Sequence, residues 1–164
     1  MSIRTPLYPL AIAAAVVIID QLSKLWIMTA FRPFEIKPVI PGLFNLIFIT
    51  NTGAAFGMLA GEQTLWRQLF FGTVAVIALV VLVYAFRQYR DRGILYVTGI
   101  GLVAGGAVGN LIDRVRFGHV VDFLDFFIGR YHWPAFNAAD SAITIGVGLF
   151  LLATLGDDQE ETSK

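Results

Sequence analysis

Cysteine is missing from this chain altogether. Its absence excludes disulfides, thiol nucleophiles and thiolate metal sites together, and the chain cannot itself carry a thioether-linked lipid. There are two histidines, His119 and His132, too few for a histidine-rich metal site. Charge of one sign is also lacking: 12 basic residues balance 12 acidic ones, so there is no basic footprint for nucleic acid. What the chain has in excess is apolar surface. It is 57% hydrophobic with a mean hydropathy of +0.71, whereas a soluble domain averages ~45–50% apolar residues. The composition points to a membrane protein, and 164 residues suit a single domain over 1–164.

Four apolar runs are long enough to cross a bilayer, for which ~20 residues suffice. The first covers about 7–28 and contains Asp20, Gln21, Ser23 and Lys24. A cleaved signal peptide is the competing reading. The amphipathic continuation to Met28 fits a retained span better, with its polar residues turned toward other helices. The second span covers about 67–87, around the uncharged run Leu69 to Phe86. The third covers about 93–112 and the fourth about 137–156. Between the first two, residues 29–66 change character. Pro33, Pro38 and Pro41 break helix. Leu43 to Thr50 is rich in β-favouring residues and predicts a strand. This stretch reads as a loop subdomain with a small sheet lying on the membrane, and 54–60 as a short interfacial helix. Residues 113–136 read as a mixed polar loop, and the acidic stretch 157–164 as a disordered tail. The fold expected is therefore membrane all-α with a small extracytoplasmic β-subdomain.

Four spans put both termini on one side. Three arginines in the short loop 87–92 favour the cytoplasm there. The full basic count opposes this, with five residues inside and seven outside, but the dense short loop is the stronger signal. In either orientation Asp20, Asn51, Asn110, Asp113, Arg114, Asp122, Asn137 and Asp140 fall toward one side. Polar residues within spans are expensive and usually functional.

Asp122 and Asp140 are the leading pair. Two close carboxylates share a proton, so one can take a proton from water while the other donates to a carbonyl oxygen. The plain alternative is two interfacial aspartates paired with arginines. Asp125 is the rival for the first position, and reads as a solvated loop residue. Asp113 and Arg114 read as interfacial charges, with Arg114 otherwise available to hold loop 113–136 over the site. Asp20 and Lys24 have the spacing of an ion pair on one helix face. Asn51 and Gly53 read as an ordinary turn, with an Asn able to bond a peptide. Gly101, Gly105 and Gly109 form a flat face for close helix packing. The intramembrane charges also allow a small proton- or ion-coupled transporter, and the glycine face a noncatalytic assembly partner.

Taken together, the blocks Asp20-Gln21-x-x-Lys24, Asn51-x-Gly53-Ala54-Ala55-Phe56, Gly109-Asn110-x-x-Asp113-Arg114, Val121-Asp122-Phe123 and Phe136-Asn137-x-Ala139-Asp140-Ser141 resemble the bacterial lipoprotein signal peptidases (signal peptidase II). The resemblance runs from Asp20 to Ile145 with the blocks in order. It implies a multi-pass inner-membrane aspartic endopeptidase, working near the periplasmic face, with Asp122 and Asp140 as its catalytic pair. Asn51, Gly53, Asn110, Arg114 and Asn137 would support the site, and Asp20, Lys24 and Asp113 would be structural residues close to it. It implies substrates whose cysteine carries diacylglycerol, cleaved just before that cysteine, and inhibition by globomycin. Membrane lipid would be the other partner. No metal or cofactor is needed, and a monomer suffices.

Overall fold

The computed structural model describes residues 5–53, 61 and 64–162, with side chains as far as Asp157. The interfacial helix expected at 54–60 lies outside the described residues. Four long helices form where the apolar runs lie: α1 (Leu7–Ala30), α2 (Leu65–Tyr89), α3 (Ile94–Phe117) and α4 (Ala138–Thr162). All four are long and apolar enough to span a membrane. Four short strands complete the chain: β1 (Ile36–Ile40), β2 (Phe44–Asn51), β3 (Val120–Ile128) and β4 (Tyr131–His132).

The helices surround α3, which packs against α1, α2 and α4. It is the most buried of the four, and α2 the least. Leu69, Val80, Val81 and Leu152 are all exposed, an arrangement that only a lipid solvent makes favourable. Glycine sets the close approach. A Cβ on Gly105 would lie 2.8 Å from the Ala13 carbonyl oxygen of α1. Gly101 and Gly109 meet the same helix, as their four-residue spacing predicts. A second set, Gly99 and Gly106, faces α4, where Gly146 answers Gly99. Without a hydrophobic drive between helices in lipid, such contact surfaces hold a bundle together by packing and hydrogen bonds. Gly106→Ala would press its methyl against the Ala139 carbonyl and leave 2.6 Å to Ile143 Cγ1. We expect it to cost about 1–3 kcal/mol, the usual penalty of overpacking, read as a lowered unfolding midpoint in detergent.

The strands lie in the order β1-β2-β3-β4, with antiparallel neighbours. Pro38 sits on β1, the outer strand, where a missing N–H is tolerated. The β2 strand matches the sequence expectation. Three other expectations are corrected. The helix expected to end near 112 continues to Phe117, so Asp113 and Arg114 lie within it. It stops at Gly118, whose φ of 75° is the left-handed conformation that glycine adopts without a Cβ penalty, and whose N–H bonds the Arg114 carbonyl at 2.9 Å. The rest of the stretch read as a polar loop carries β3 and β4, and the first four residues of β3 are buried. The acidic tail continues α4 to Thr162 rather than leaving it.

Candidate active site

β3 carries Asp122 at the third of its nine positions, buried at 2% exposure. It pairs with Ile49 of β2, and a register shift between Leu46 and Ile49 brings the end of β2 alongside. Asn51, the last residue of β2, donates from Nδ2 to Asp122 Oδ2 at 3.1 Å. Its own Oδ1 accepts the Gly53 N–H at 2.9 Å, closing a tight Asn-initiated turn that fixes the amide's orientation. The other oxygen of Asp122 accepts from Asn137 Nδ2 at 2.7 Å. Burial, and after it the charge of Asp140, push the Asp122 carboxyl up from 3.8 to about 7, against the opposing pull of the two amides.

Asp140 lies in the first turn of α4. Asn137 caps that helix: its Oδ1 accepts the Asp140 N–H at 2.9 Å, three residues on. One asparagine therefore starts the helix bearing one acid and grips the other. Asn110, from α3, donates to Asp140 Oδ1 at 2.8 Å. Its Oδ1 accepts from Lys24 at 2.9 Å and from Asn137 at 3.2 Å. With donors on that side, the Asn110 amide has no choice but to aim its N–H at Asp140.

Behind these asparagines lies a buried charge cluster. Lys24 Nζ is 2.8 Å from Asp20 Oδ2 and 2.7 Å from Asp113 Oδ2. The expected Asp20–Lys24 pair is present, and Asp113 joins it. Each acid also serves backbone: Asp20 Oδ1 accepts the Ala139 N–H at the start of α4, and Asp113 Oδ2 the Val121 N–H at the start of β3. The cluster so fixes where both acid-bearing elements begin. Gln21, which the sequence singles out only as part of a motif block, donates to Asp113 Oδ1 at 2.9 Å and to the Gly109 carbonyl.

Arg114 does not hold the 113–136 segment, as one reading expected. Its Nη2 donates to the Gly53 carbonyl at 2.8 Å and its Nη1 to the Asn110 carbonyl. It braces the turn after β2 against α3, with its guanidinium over the Phe71 ring. The rival acid is corrected as well. Asp125 is no solvated loop residue but 5% exposed on β3. It lies an odd number of residues from Asp122, on the opposite face of the strand, and binds Asn45 and His132.

A cavity of about 480 Å³ opens over the two acids. Asp122, Asp140, Asn51, Asn110 and Arg114 line its polar side, and the segment Trp133–Phe136 with Ile143 and Ile145 lines its apolar side. Asn137, Asp20, Lys24 and Asp113 lie behind this lining. Of the Trp133–Phe136 wall, the sequence singled out only Phe136, as part of a motif block.

Four helices long and apolar enough to span a membrane, with two acids lining one cavity, define the class as a multi-pass membrane protein. The chain belongs to the signal peptidase II family, whose pattern it matches over residues 12–156. It is 48% identical over 151 residues to the lipoprotein signal peptidase of Syntrophus aciditrophicus strain SB, covering 92% of this chain and 93% of that protein. It is 51% identical over 148 residues to the lipoprotein signal peptidase of Syntrophotalea carbinolica, covering 90% and 91%. A solved structure of a bacterial membrane enzyme, determined in meso at 2.3 Å resolution, superposes with a TM-score of 0.83 at 40% identity, over 96% of this chain and 93% of that one. The family makes the chain a peptidase, which sets aside the transporter and the noncatalytic partner.

Proposed function

We propose that this protein is an aspartic endopeptidase that removes the signal peptide from prolipoproteins whose cysteine already carries diacylglycerol, cutting just before that cysteine. The observation that supports it best is the pair Asp122 and Asp140, on different elements, lining one cavity beside an apolar wall. A lipid-bearing cysteine rests at the acyl–headgroup boundary, and the acids lie where helices meet sheet. Lipid chains held among the helices would fix the scissile bond, and positioning of this kind can account for much of a rate enhancement.

The chemistry rests on one proton shared by two acids. The ionised carboxylate takes a proton from water as the oxygen attacks the scissile carbonyl. The protonated acid donates to the carbonyl oxygen, giving a gem-diol. Its collapse returns a proton to the departing amide nitrogen and restores the pair. Asn51, Asn110 and Asn137 keep both acids aimed, while Arg114 braces the turn behind Asn51. The protein would work in the bacterial inner membrane as a monomer, with the site toward the periplasm, both termini in the cytoplasm and sensitivity to globomycin.

Incubating the purified protein with one prolipoprotein before and after diacylglyceryl transfer tests the substrate assignment. Cleavage of the lipidated form alone is expected; equal cleavage of both would remove the lipid from the reading. The acid pair also carries a pH signature. The folded protein holds the Asp122 proton up to about 7, so the singly protonated pair persists to near neutrality. Turnover should fall as pH rises through that value, along the alkaline limb of a bell. Stability should respond with the same sign. Between 3.8 and about 7 the folded state binds more protons at Asp122 than the unfolded state, so stability declines as pH rises across that window. A rate profile still climbing beyond pH ~8 would contradict the shared proton.

A further inference from the structure

Asp125 is a buried acid that the proposed chemistry does not use. Its partners are Asn45, donating to Oδ2 at 2.8 Å from the paired position on β2, and His132, whose Nδ1 lies 2.7 Å from Oδ1. An ionised carboxylate only accepts, so the His132 Nδ1 carries the hydrogen. The His132 ring also stacks on Phe127 at 4.8 Å and 10°. Asp125 thus ties three strands: β2 through Asn45, its own β3, and β4 through His132.

The segment just beyond β4 shapes the cavity. Trp133 donates its N–H to the Phe126 carbonyl at 2.7 Å, and Phe136 donates to the Leu124 carbonyl at 3.1 Å while accepting from Phe123 and Leu124. Between those two anchor points Pro134 has no N–H to donate. The Trp133–Phe136 segment is therefore fastened to β3 at its ends, and it forms the apolar wall of the cavity over Asp122 and Asp140. Trp133, the first residue of this wall, is 58% exposed and directly follows His132.

We propose that Asp125 and His132 are positioning residues for substrate binding: their hydrogen bond pins the start of the Trp133–Phe136 wall, and that wall seats the apolar flank of the lipid-bearing peptide. This rests on the peptidase reading of the site. The bonds that aim the two acids come from Asn51, Asn110 and Asn137, not from Asp125 or His132. Binding and chemistry are thus held by separate sets of hydrogen bonds, so damage to one should spare the other.

The test is steady-state cleavage of a diacylglyceryl-modified prolipoprotein in mixed micelles by wild type, His132→Ala, Asp125→Asn and His132→Asn. His132→Ala removes the pin. Asp125→Asn leaves one acceptor facing two donors. For both, KM should rise about tenfold with kcat within about twofold of wild type, the signature of lost ground-state binding. His132→Asn keeps an N–H at the same reach and should recover most of the loss, although it gives up the ring stack. A kcat that falls at unchanged KM, kinetics identical to wild type, or no recovery in His132→Asn would each overturn the proposal. If His132→Ala fails to fold, the split in Asp125→Asn, with recovery in His132→Asn, decides. A wild-type protein that does not cut the substrate would end the peptidase reading itself; an active wild type beside unaltered variants would end only this one.

Discussion

Asp122→Asn and Asp140→Asn are each expected to lower turnover of a lipidated prolipoprotein by about 10³-fold or more, because the reaction loses one of its two proton-transfer partners. Asparagine keeps the shape: at position 140 its oxygen can still accept the Asn110 N–H, and at position 122 it keeps one of the two amide bonds. Folding should survive, since removing a charge from a buried site lifts a desolvation penalty. The two losses should not add: once one acid is gone, removing the other takes little more, as expected of groups that act as a unit. Asp125→Asn supplies the contrast. Facing away from Asp122 on the same strand, it should keep kcat near wild type. The measurement is single-substrate cleavage by purified variants whose fold is checked by thermal unfolding. Full turnover by either Asp122→Asn or Asp140→Asn would end the assignment of the pair.

The parts of this molecule that were legible in its sequence are those set by local pattern. Four apolar runs gave four helices, because the bilayer demands length and internal hydrogen bonding and little else. The β2 strand came from its β-favouring residues, and the Gly101–Gly105–Gly109 face from its four-residue spacing. What was hidden depended on partners far along the chain. β3 looked like a loop because Asp122 and Asp125 interrupt its apolar residues. Both are satisfied by asparagines of β2, 71 and 80 residues away. The end of α3 was placed too early because Asp113 resembled an interfacial stop. Lys24, on α1, pairs with it inside the bundle. The partner of Arg114 was hidden for a similar reason: its acceptor, the Gly53 carbonyl, lies in another segment 61 positions distant. Of the site, the motif blocks named candidate residues, whereas the asparagine amides that connect them into one network join segments far apart in the chain.

Lys24→Met should be among the most destabilising single changes in the chain. Lys24, Asp20 and Asp113 are each about 1% exposed or less, so water cannot replace a missing partner. One ammonium serves two carboxylates, at 2.8 and 2.7 Å, and a third acceptor in Asn110. Its removal leaves two acids without their cation, and breaking a buried pair from one side typically costs about 3–5 kcal/mol. Neutralising an acid is a different matter. Asp20→Asn or Asp113→Asn leaves one cation with one anion, so either should cost less than Lys24→Met, and Asp20→Asn can still accept the Ala139 N–H. The order of unfolding midpoints in detergent checks this, with Lys24→Met lowest. Activity carries the same logic forward. Without Lys24, the Asn110 Oδ1 keeps only the longer bond from Asn137, so its N–H is held less firmly toward Asp140. A Lys24→Met protein as stable as wild type would mean that the two carboxylates do not depend on this ammonium, and that α1 does not organise the site through it.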